Sequence, residues 1–254
     1  MLSHSIDNNV LAQFYEEIQE FDQLLKDASN TNINIDQTRN IAYIGIKRAL
    51  LLIQYNRFVG SQILLIGDDD LTSLAITIMS KKMFKNGTTG IPQITVMDID
   101  ERILEYIQTN SHITKCIRQD FRDAPLKEYN NLFDCAFLDP PYTDDGLCLF
   151  LSRAVQYVKP QANLFVSFGH GTDKMRYRIQ KMVVDSKLYI TEIISKFNSY
   201  IGAKSWDGLS DMIVLCATYD KKPLISGRYI GTSLYTHSIK NMPLNSYGEF
   251  LKGV

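Results

Sequence analysis

Apolar residues in the first part of the chain recur with the period of an α-helix. They do so over residues 10–25 and again over residues 38–58, with a polar stretch between the two sets. The pattern predicts two amphipathic helices, the second capped at its N-terminus by Asp36 or Thr38. We therefore expect residues 1–60 to form a short helical N-terminal appendage.

Short apolar runs alternate with helical patterns from residue 61 onward, which is typical of a parallel sheet with crossover helices. Two further runs follow near the end, at 189–197 and 212–219, with no helical pattern between them. They are predicted to pair antiparallel, because a parallel return needs a crossover of roughly a dozen residues. The runs predicted as parallel strands are 62–66, 94–98, 114–118, 133–138 and 163–168.

This set of strands predicts an α/β fold with the seven-stranded, Rossmann-like sheet of the methyltransferase type. A chain of 254 residues is long enough for one such domain with small additions. We expect the catalytic domain over residues 61–220 and a C-terminal extension over residues 221–254. The extension is rich in Gly, Ser, Tyr and Pro, and it is equally compatible with a flap over the substrate and with a simple tail.

Charge and composition narrow the classes of ligand. The 27 Lys and Arg residues nearly balance the 28 Asp and Glu residues, so we expect a small-molecule substrate rather than nucleic acid or a membrane. No apolar run approaches the roughly 20 residues that cross a bilayer, and the N-terminus lacks a targeting pattern, so the expected location is the cytoplasm. The four Cys and four His residues show no metal-ligand spacing. We expect no metal and buried free thiols, and the sequence leaves a homodimer open.

Acidic residues follow the predicted parallel strands at the edge where ligands bind in such sheets. Asp98 ends the second strand, where a carboxylate can accept both hydroxyls of a ribose. Asp100 is instead predicted to cap the next helix. After the third strand, Asp120 is placed to accept the amino group of an adenine, and Phe121 to pack against its ring. These residues predict a site for an adenosyl compound.

The loop after the first strand carries Gly67 followed by Asp68, Asp69 and Asp70. Nucleotide and methyltransferase sites commonly carry several glycines at this position. Adjacent carboxylates oppose a ligand carboxylate and suit ammonium and sulfonium groups. The loop therefore favours decarboxylated S-adenosylmethionine over the intact compound, together with a polycationic acceptor. In the other interpretation, Asp68 and Asp70 only stabilise the N-terminus of the following helix.

The run Asp139–Tyr142, with the sequence DPPY, follows the fourth strand. Its two prolines stiffen the turn and remove two backbone donors, so the segment presents acceptors toward an amine. The same arrangement occurs in enzymes that methylate exocyclic amino groups, where the aromatic residue stacks on the base. We expect Asp139 and Tyr142 to orient an amine acceptor. The alternative is that DPPY is simply a stiff turn.

Several segments together resemble the branched-chain polyamine synthase family, whose best-known activity is bis(aminopropyl)spermidine synthesis. The specific ones are GDDDLTS at 67–73 and DIDER at 98–102. The resemblance implies transfer of an aminopropyl group from decarboxylated S-adenosylmethionine to a polyamine, with an aspartate of the GDDD loop assisting deprotonation of the attacking amine. Further matching segments are IDQT at 35–38, Arg48, the FD pair at 133–134, LDPP at 138–141 and IISKFNSY at 193–200.

The resemblance assigns candidate roles to individual residues. The resemblance points to Asp68, Asp69 and Asp70 for the base and does not choose among them. We place Asp68 and Asp69 in the catalytic group, and we expect Gly67, Asp70 and Gln37 to bind the adenosyl co-substrate. After its DPP, the chain has Tyr142-Thr143 where the family commonly has a small acidic or hydroxyl pair. This departure is closer to the amino-methyltransferases. The alternative function is therefore an S-adenosylmethionine-dependent methyltransferase acting on an amino group of a small molecule or nucleobase.

Overall fold

A computed structural model describes residues 6–84, 89–169, 172–201 and 208–236. Within these residues, one sheet of seven strands forms the centre of the fold, with the strand order β3-β2-β1-β4-β5-β7-β6. The strands are β1 (Gln62–Ile66), β2 (Gln93–Asp98), β3 (Thr114–Arg118), β4 (Phe133–Leu138), β5 (Val158–Phe168), β6 (Leu188–Ser199) and β7 (Leu209–Ala217).

The directions of the strands confirm the predicted Rossmann-like, methyltransferase-type sheet. Strands β1 to β5 run parallel, and β7 lies antiparallel between β5 and β6. From β1 the chain proceeds outward to β3 on one side, and it then returns to place β4 on the other side of β1. The loops that follow β1 and β4 therefore diverge and open a crevice at the carboxyl edge of the sheet.

Strands β2 and β6 differ from the predicted bounds by one or two residues, whereas β5 and β7 begin at least three residues early. β5 begins at Val158 rather than at residue 163, because Val158 pairs with Phe133 before an irregular step in the register. β7 begins at Leu209, which pairs with Ser199 of β6, and it ends before residue 219. Both early segments contain polar residues, so their apolar pattern is interrupted although their backbones are paired.

Seven α-helices flank the sheet in the described part of the chain. The predicted first helix is two helices, with a break at Gln13 and Phe14. Helix α5 confirms Asp100 as its N-cap, since the Asp100 carboxylate accepts from the backbone of Arg102. The helices are α1 (Asn8–Ala12), α2 (Tyr15–Asp27), α3 (Ala42–Gln54), α4 (Thr72–Met83), α5 (Glu101–Asn110), α6 (Asp144–Tyr157) and α7 (Asp173–Asp185).

The predicted cap of the second N-terminal helix is wrong. Helix α3 begins after Ile41, which has no side chain that can cap. Asp36 lies in the left-handed region, with φ 59°, and its carboxylate accepts from the backbone and hydroxyl of Thr236. The Thr38 backbone donates to Asp69. Both residues are thus committed to contacts with the site described below rather than to a helix terminus.

The two faces of the sheet are covered by separate layers of helices. Along β1, Ile63 and Leu65 join the core beneath α2 to α5, while Leu64 and Ile66 join the core beneath α6 and α7. This alternation follows from the two-residue period of a strand. Because both faces are buried, the strand sequences are continuously apolar. Helices α2 and α3 bury their apolar faces in the same core as the sheet.

Three further findings concern the helices, the acidic and metal-ligating residues, and the cysteines. None of the helices in the described ranges is long and apolar enough to span a membrane. Within the same ranges, no cluster of three or more His, Cys, Asp or Glu side chains could hold a metal ion. The four cysteines are free thiols, three of them buried and Cys116 half-buried.

Gly45 determines how closely α2 and α3 approach each other. A Cβ at this position would lie 2.2 Å from Cε1 of Phe21, whose ring is fully buried. We expect Gly45→Ala to lower the free energy of unfolding by about 1–3 kcal/mol through overpacking, although alanine favours a helix by about 1 kcal/mol. Urea unfolding measures this loss. A Phe21→Leu background should reduce it, and an unchanged loss there would contradict the proposed clash.

Candidate active site

A cleft opens at the carboxyl ends of β1 to β4, at the switch point of the sheet. The described residues that line it include five aspartates and a single cation, Arg122. The cleft is therefore acidic, although the chain as a whole is nearly neutral. Its lining comprises Ile35, Asp36, Gln37, Gly67, Asp69, Asp98, Ile99, Asp120, Phe121, Arg122, Asp139, Pro141, Phe150, Leu234 and Tyr235.

Gly67 and Asp98 form the floor of the cleft between β1 and β2. Gly67 has φ 73°, a conformation that glycine adopts without strain, and a Cβ there would approach Phe150 and Asp98. One Asp98 carboxylate oxygen accepts from the backbone N–H of Asp68 at 3.0 Å and the other from that of Asp100 at 2.8 Å. Burial raises the pKa of Asp98. Both residues lie where the sequence predicts them.

Aromatic residues form one end of the cleft. Phe121 packs edge-on against Phe150, with ring centroids 5.1 Å apart, and Tyr235 lies at the same cleft. Asp120 is ion-paired with Arg122 at 2.6 Å, and this hydrogen bond lowers the pKa of Asp120. The end can hold a flat ring between apolar groups while offering a carboxylate at its rim.

Gln37 reaches the same cleft from the segment before α3. Its Nε2 donates to Oδ2 of Asp100 at 3.3 Å, and its Oε1 accepts from the backbone of Asn32 at 2.7 Å. The structure thus brings Gln37, Gly67, Asp98, Asp120 and Phe121, which are distant in sequence, to one cavity.

The three aspartates of the GDDD loop occupy different environments. Asp68 is buried and accepts from the backbone N–H of Ser73 at 3.1 Å, in the first turn of α4. Asp70 is buried and accepts from Arg48 and from both the backbone and side chain of Asn40. Asp69 lines the main cleft, and its Oδ2 accepts from the Thr38 backbone at 2.8 Å. The interpretation of the loop as helix stabilisation therefore suits Asp68.

The backbone of this loop turns sharply at Leu71. Leu71 adopts φ 56° and is fully buried beneath the loop. A left-handed conformation is rare for a leucine and carries a steric cost. The turn directs Asp69 to the cleft, and all three aspartates also line a smaller cavity beside Arg48.

The pKa of Asp69 lies well above its usual range. Burial is the main cause, and the nearby carboxylates of Asp70, Asp139 and Asp98 add to it. Burial also raises the pKa of Asp139, with a further contribution from Asp70. A cationic ligand in the cleft would oppose these shifts, because it favours the ionised carboxylates.

Arg48 holds two of the acidic segments together. Its guanidinium is 3% exposed and donates to Asp70 at 2.8 Å and to Asp139 at 2.9 Å. Its Nε donates to the side chain of Asn198 at 3.0 Å, so β6 joins the same network. Arg48 entered the sequence-based predictions only as part of the resemblance. The signal for its role was a lone arginine within the apolar face of a helix.

The residues of the DPPY segment lie partly at the cleft and partly in the hydrogen-bond network around Arg48. Asp139 lines the cleft, and its Oδ2 accepts from Arg48 and from the hydroxyl of Tyr200 at 2.8 Å. Tyr142 donates to the Tyr200 hydroxyl at 3.1 Å and packs its ring against Phe168. Tyr142 is thus turned toward Tyr200 rather than into the cleft. Tyr200 belongs to a matching segment but was not predicted as a site residue.

The described part of the C-terminal extension reaches the cleft. Leu234 and Tyr235 are among its lining residues, and the Leu234 carbonyl accepts from the Thr143 hydroxyl at 2.8 Å. Thr236 donates to Asp36 on the other side. This arrangement fits the flap interpretation for residues up to 236, whereas residues 237–254 lie outside the described part.

A family model for the branched-chain polyamine synthase A C-terminal domain matches residues 16–224. An uncharacterised protein of Methanocaldococcus jannaschii is 34% identical over 200 residues, which cover 77% of this chain and 49% of that protein. The N(4)-bis(aminopropyl)spermidine synthase of the same organism is 26% identical over 202 residues, or 75% of this chain and 55% of the enzyme. The chain thus spans about half the length of these curated relatives.

Two solved structures share the fold. The branched-chain polyamine synthase from Thermus thermophilus, in complex with N4-aminopropylspermidine and 5′-methylthioadenosine, has a TM-score of 0.75 at 19% identity, over 87% of this chain and 69% of that one. A putative RNA methyltransferase from Pyrococcus horikoshii has a TM-score of 0.61 at 13% identity, over 80% of this chain and 99% of that one.

Removal of Arg48 tests the network that it holds. We expect Arg48→Met to lower the free energy of unfolding by about 3–5 kcal/mol, because the buried carboxylates lose their counter-charge. Arg48→Lys should recover little of this loss, since an ammonium cannot reproduce the planar, forked contacts of a guanidinium. Arg176→Met, an exposed position on α7, is the control. Urea titrations measure the three variants.

The loss of unfolding free energy in Arg48→Met should depend on pH in a defined direction. Without Arg48, the already raised pKa of Asp139 rises further, and stability is lost as pH rises through that folded-state pKa. The defect of Arg48→Met relative to wild type should therefore shrink as pH falls toward and below the ordinary range of a carboxyl group. A defect that is constant with pH would contradict this account.

Proposed function

Since the chain belongs to the branched-chain polyamine synthase A C-terminal domain family, we propose that it transfers an aminopropyl group from decarboxylated S-adenosylmethionine to an amine of a polyamine. The curated relatives named N(4)-bis(aminopropyl)spermidine synthase support this proposal. The complex solved for the Thermus thermophilus relative supports it as well. Its 5′-methylthioadenosine is what remains of decarboxylated S-adenosylmethionine once the aminopropyl group has left.

The acidity of the cleft is the observation that carries the proposal. Among the described residues that line it, five are aspartates, and the one cation, Arg122, is already paired with Asp120. Decarboxylated S-adenosylmethionine carries a sulfonium and an ammonium, and a polyamine carries several ammonium groups. Opposite charges about 4 Å apart attract by about 4 kcal/mol at an effective dielectric constant of about 20. The cleft therefore suits two cationic substrates in one cavity.

The nucleoside is proposed to bind at the aromatic end of the cleft. Asp98 would accept the ribose hydroxyls, with Gln37 beside it on the segment before α3. Asp120 would accept the adenine amino group, and Phe121 would pack against the ring. Asp120 already accepts from the backbone N–H, Nε and Nη2 of Arg122, so the adenine amino group would take the acceptor position that these three donors leave among the roughly four of a carboxylate. The propyl arm would then extend from Gly67 toward Asp69 and Asp139.

The proposed reaction is a direct displacement. The nitrogen of a neutral acceptor amine attacks the propyl carbon bound to sulfur, the N–C bond forms, and the C–S bond breaks. Its electron pair stays on sulfur, which becomes the neutral thioether of 5′-methylthioadenosine. The proton of the new ammonium passes to a carboxylate. Alignment of the two reactants can supply roughly 7–11 kcal/mol of the barrier reduction.

Asp69 is the proposed base of the GDDD loop. Of its three aspartates, Asp69 lines the main cleft, whereas Asp68 accepts from helix α4 and Asp70 is paired with Arg48. The raised pKa of Asp69 suits the role, because a base is most effective when its pKa lies near the working pH. Asp139, held by Arg48 and Tyr200, would orient the acceptor amine. Tyr142 would support Asp139 through Tyr200.

Asp69→Asn tests the base. We expect kcat to fall about 10²–10⁴-fold, while the affinity for 5′-methylthioadenosine changes little, because the base acts in the displacement step. Wild-type kcat should rise with pH through the raised pKa of Asp69, and the variant should lose this dependence. Asp220→Asn is the matched control, since Asp220 is exposed beyond β7 at the opposite edge of the sheet. Undiminished turnover of Asp69→Asn would exclude it as the base.

The choice between two co-substrates gives a second test. Intact S-adenosylmethionine adds a carboxylate that would meet Asp69 and Asp139, and such a like-charge contact near 4 Å costs about 4 kcal/mol before screening. We expect at least a tenfold preference for the decarboxylated form by calorimetry. Asp69→Asn should narrow the preference, and more so at low salt. Tighter binding of the intact form would favour the methyltransferase alternative.

A further inference from the structure

Arg153 is a fully buried arginine on α6 that faces no carboxylate in the contacts described for it. A guanidinium has five N–H donors, and all five are used. Nε donates to the Phe121 carbonyl at 2.9 Å, and Nη2 donates to the carbonyls of Asp123 at 3.0 Å and Gly227 at 2.7 Å. Nη1 donates to the Ile225 carbonyl at 2.9 Å and to the Gln156 side chain at 3.2 Å.

These carbonyls belong to two segments that are distant in sequence. Phe121 and Asp123 lie in the loop after β3, which also supplies Asp120 and Arg122 to the cleft. The carbonyls at 225 and 227 lie in the C-terminal extension, which goes on to supply Leu234 and Tyr235 to the same cleft. Arg153 itself is not among the residues that line it. One side chain beneath the cleft therefore joins two segments of its wall.

Neighbouring bonds repeat the same connection. The Ser152 hydroxyl accepts from the Ile225 backbone at 3.0 Å, and the Gln156 side chain donates to the Ser226 carbonyl at 3.0 Å. Beyond them, the Tyr229 backbone donates directly to the Arg122 carbonyl at 2.7 Å. The extension is thus docked on α6 first and then paired with the loop after β3.

Stability alone does not explain an arginine at this position, because burial of its charge costs free energy. Burial lowers the pKa of the Arg153 guanidinium, because the charge has left water without a compensating carboxylate. Hydrogen bonds to carbonyl and amide oxygens, rather than an opposite charge, offset the cost of burying this charge. What a guanidinium supplies and an apolar side chain does not is a fixed geometry between the groups that it bonds.

We propose that Arg153 is the positioning residue for the nucleoside end of the cleft. It fixes the spacing between the loop at 121–123 and the extension at 225–227, and so places Phe121 and Tyr235 on opposite sides of the adenosyl group. The identity of this ligand rests on the proposed function, whereas the connection between the two segments does not. Arg153 acts through these segments and touches neither substrate.

Arg153→Lys tests the proposal, with Arg57→Lys as the matched control. Arg57 also donates to a carbonyl and an amide oxygen, those of Gln161 and Asn163, but it does so at the opposite edge of the sheet. A lysine keeps the charge in both variants and loses the forked geometry. Hydrogen exchange of the free proteins is the first measurement. Exchange should rise at 121–123 and 225–235 in Arg153→Lys and stay at the wild-type level there in Arg57→Lys.

Binding and kinetics are the second measurement. In Arg153→Lys we expect the Kd for 5′-methylthioadenosine and the KM for decarboxylated S-adenosylmethionine to rise about tenfold, as misplaced binding groups do. The KM for the polyamine acceptor should stay near its wild-type value. Arg57→Lys should leave all three constants unchanged. If Arg153→Lys does not fold, Arg153→Met removes the charge and keeps a similar length for the same measurements.

A failure of the Arg153 proposal can be distinguished from a failure of the proposed function. Raised exchange with unchanged Kd for 5′-methylthioadenosine would overturn the proposal, because Arg153 would then only anchor the extension. Unchanged exchange at both segments would overturn it as well. An equal rise in both KM values would assign Arg153 a general structural role and equally reject the proposal. A wild-type protein that binds no 5′-methylthioadenosine would instead reject the proposed function, and the exchange result would stand independently.

Discussion

The ion pairs of Arg48 with Asp70 and Asp139 are the constraint on which the rest of the site depends. They join α3 to the loop after β1 and to the end of β4, so three distant parts of the sequence meet at one guanidinium. The carboxyl edge of this sheet carries many acidic groups that repel one another. A single buried cation offsets two of them and thereby allows the others to remain close together without separating the strands.

Once Arg48 has offset two of the carboxylates, the three aspartates of the GDDD loop take different roles. Asp68, Asp69 and Asp70 are adjacent and chemically equal, but the turn between β1 and α4 sends one to the helix, one to the cleft and one to Arg48. A ligand in the cleft therefore meets fewer carboxylates than the loop contains. The location of a carboxylate, rather than the number of acidic residues in a motif, determines which of them can meet a substrate.

Much of the fold and part of the site follow from the sequence alone. β1, β3 and β4 were predicted with correct bounds because they are continuous apolar runs between covered faces. Asp98 and Asp120 were placed correctly at the cleft, since strand ends of a parallel sheet share one edge. The orientation of Tyr142 could not be predicted, because it depends on partners from β5 and from the end of β6. Likewise, the apolar face of α3 indicates from the sequence that Arg48 is buried, but no local pattern identifies its distant partners.

The backbone conformation of Leu71 affects the stability of the acidic loop. Its left-handed backbone costs on the order of 1–3 kcal/mol, and the loop that it turns gathers carboxylates whose pKa values are already raised by burial. The loop is therefore a strained part of an otherwise well-packed domain, and its carboxylates repel one another. Cationic ligands would relieve the repulsion, so the ligand-bound protein should be the more stable form. Binding would thus supply the stability that the loop itself lacks.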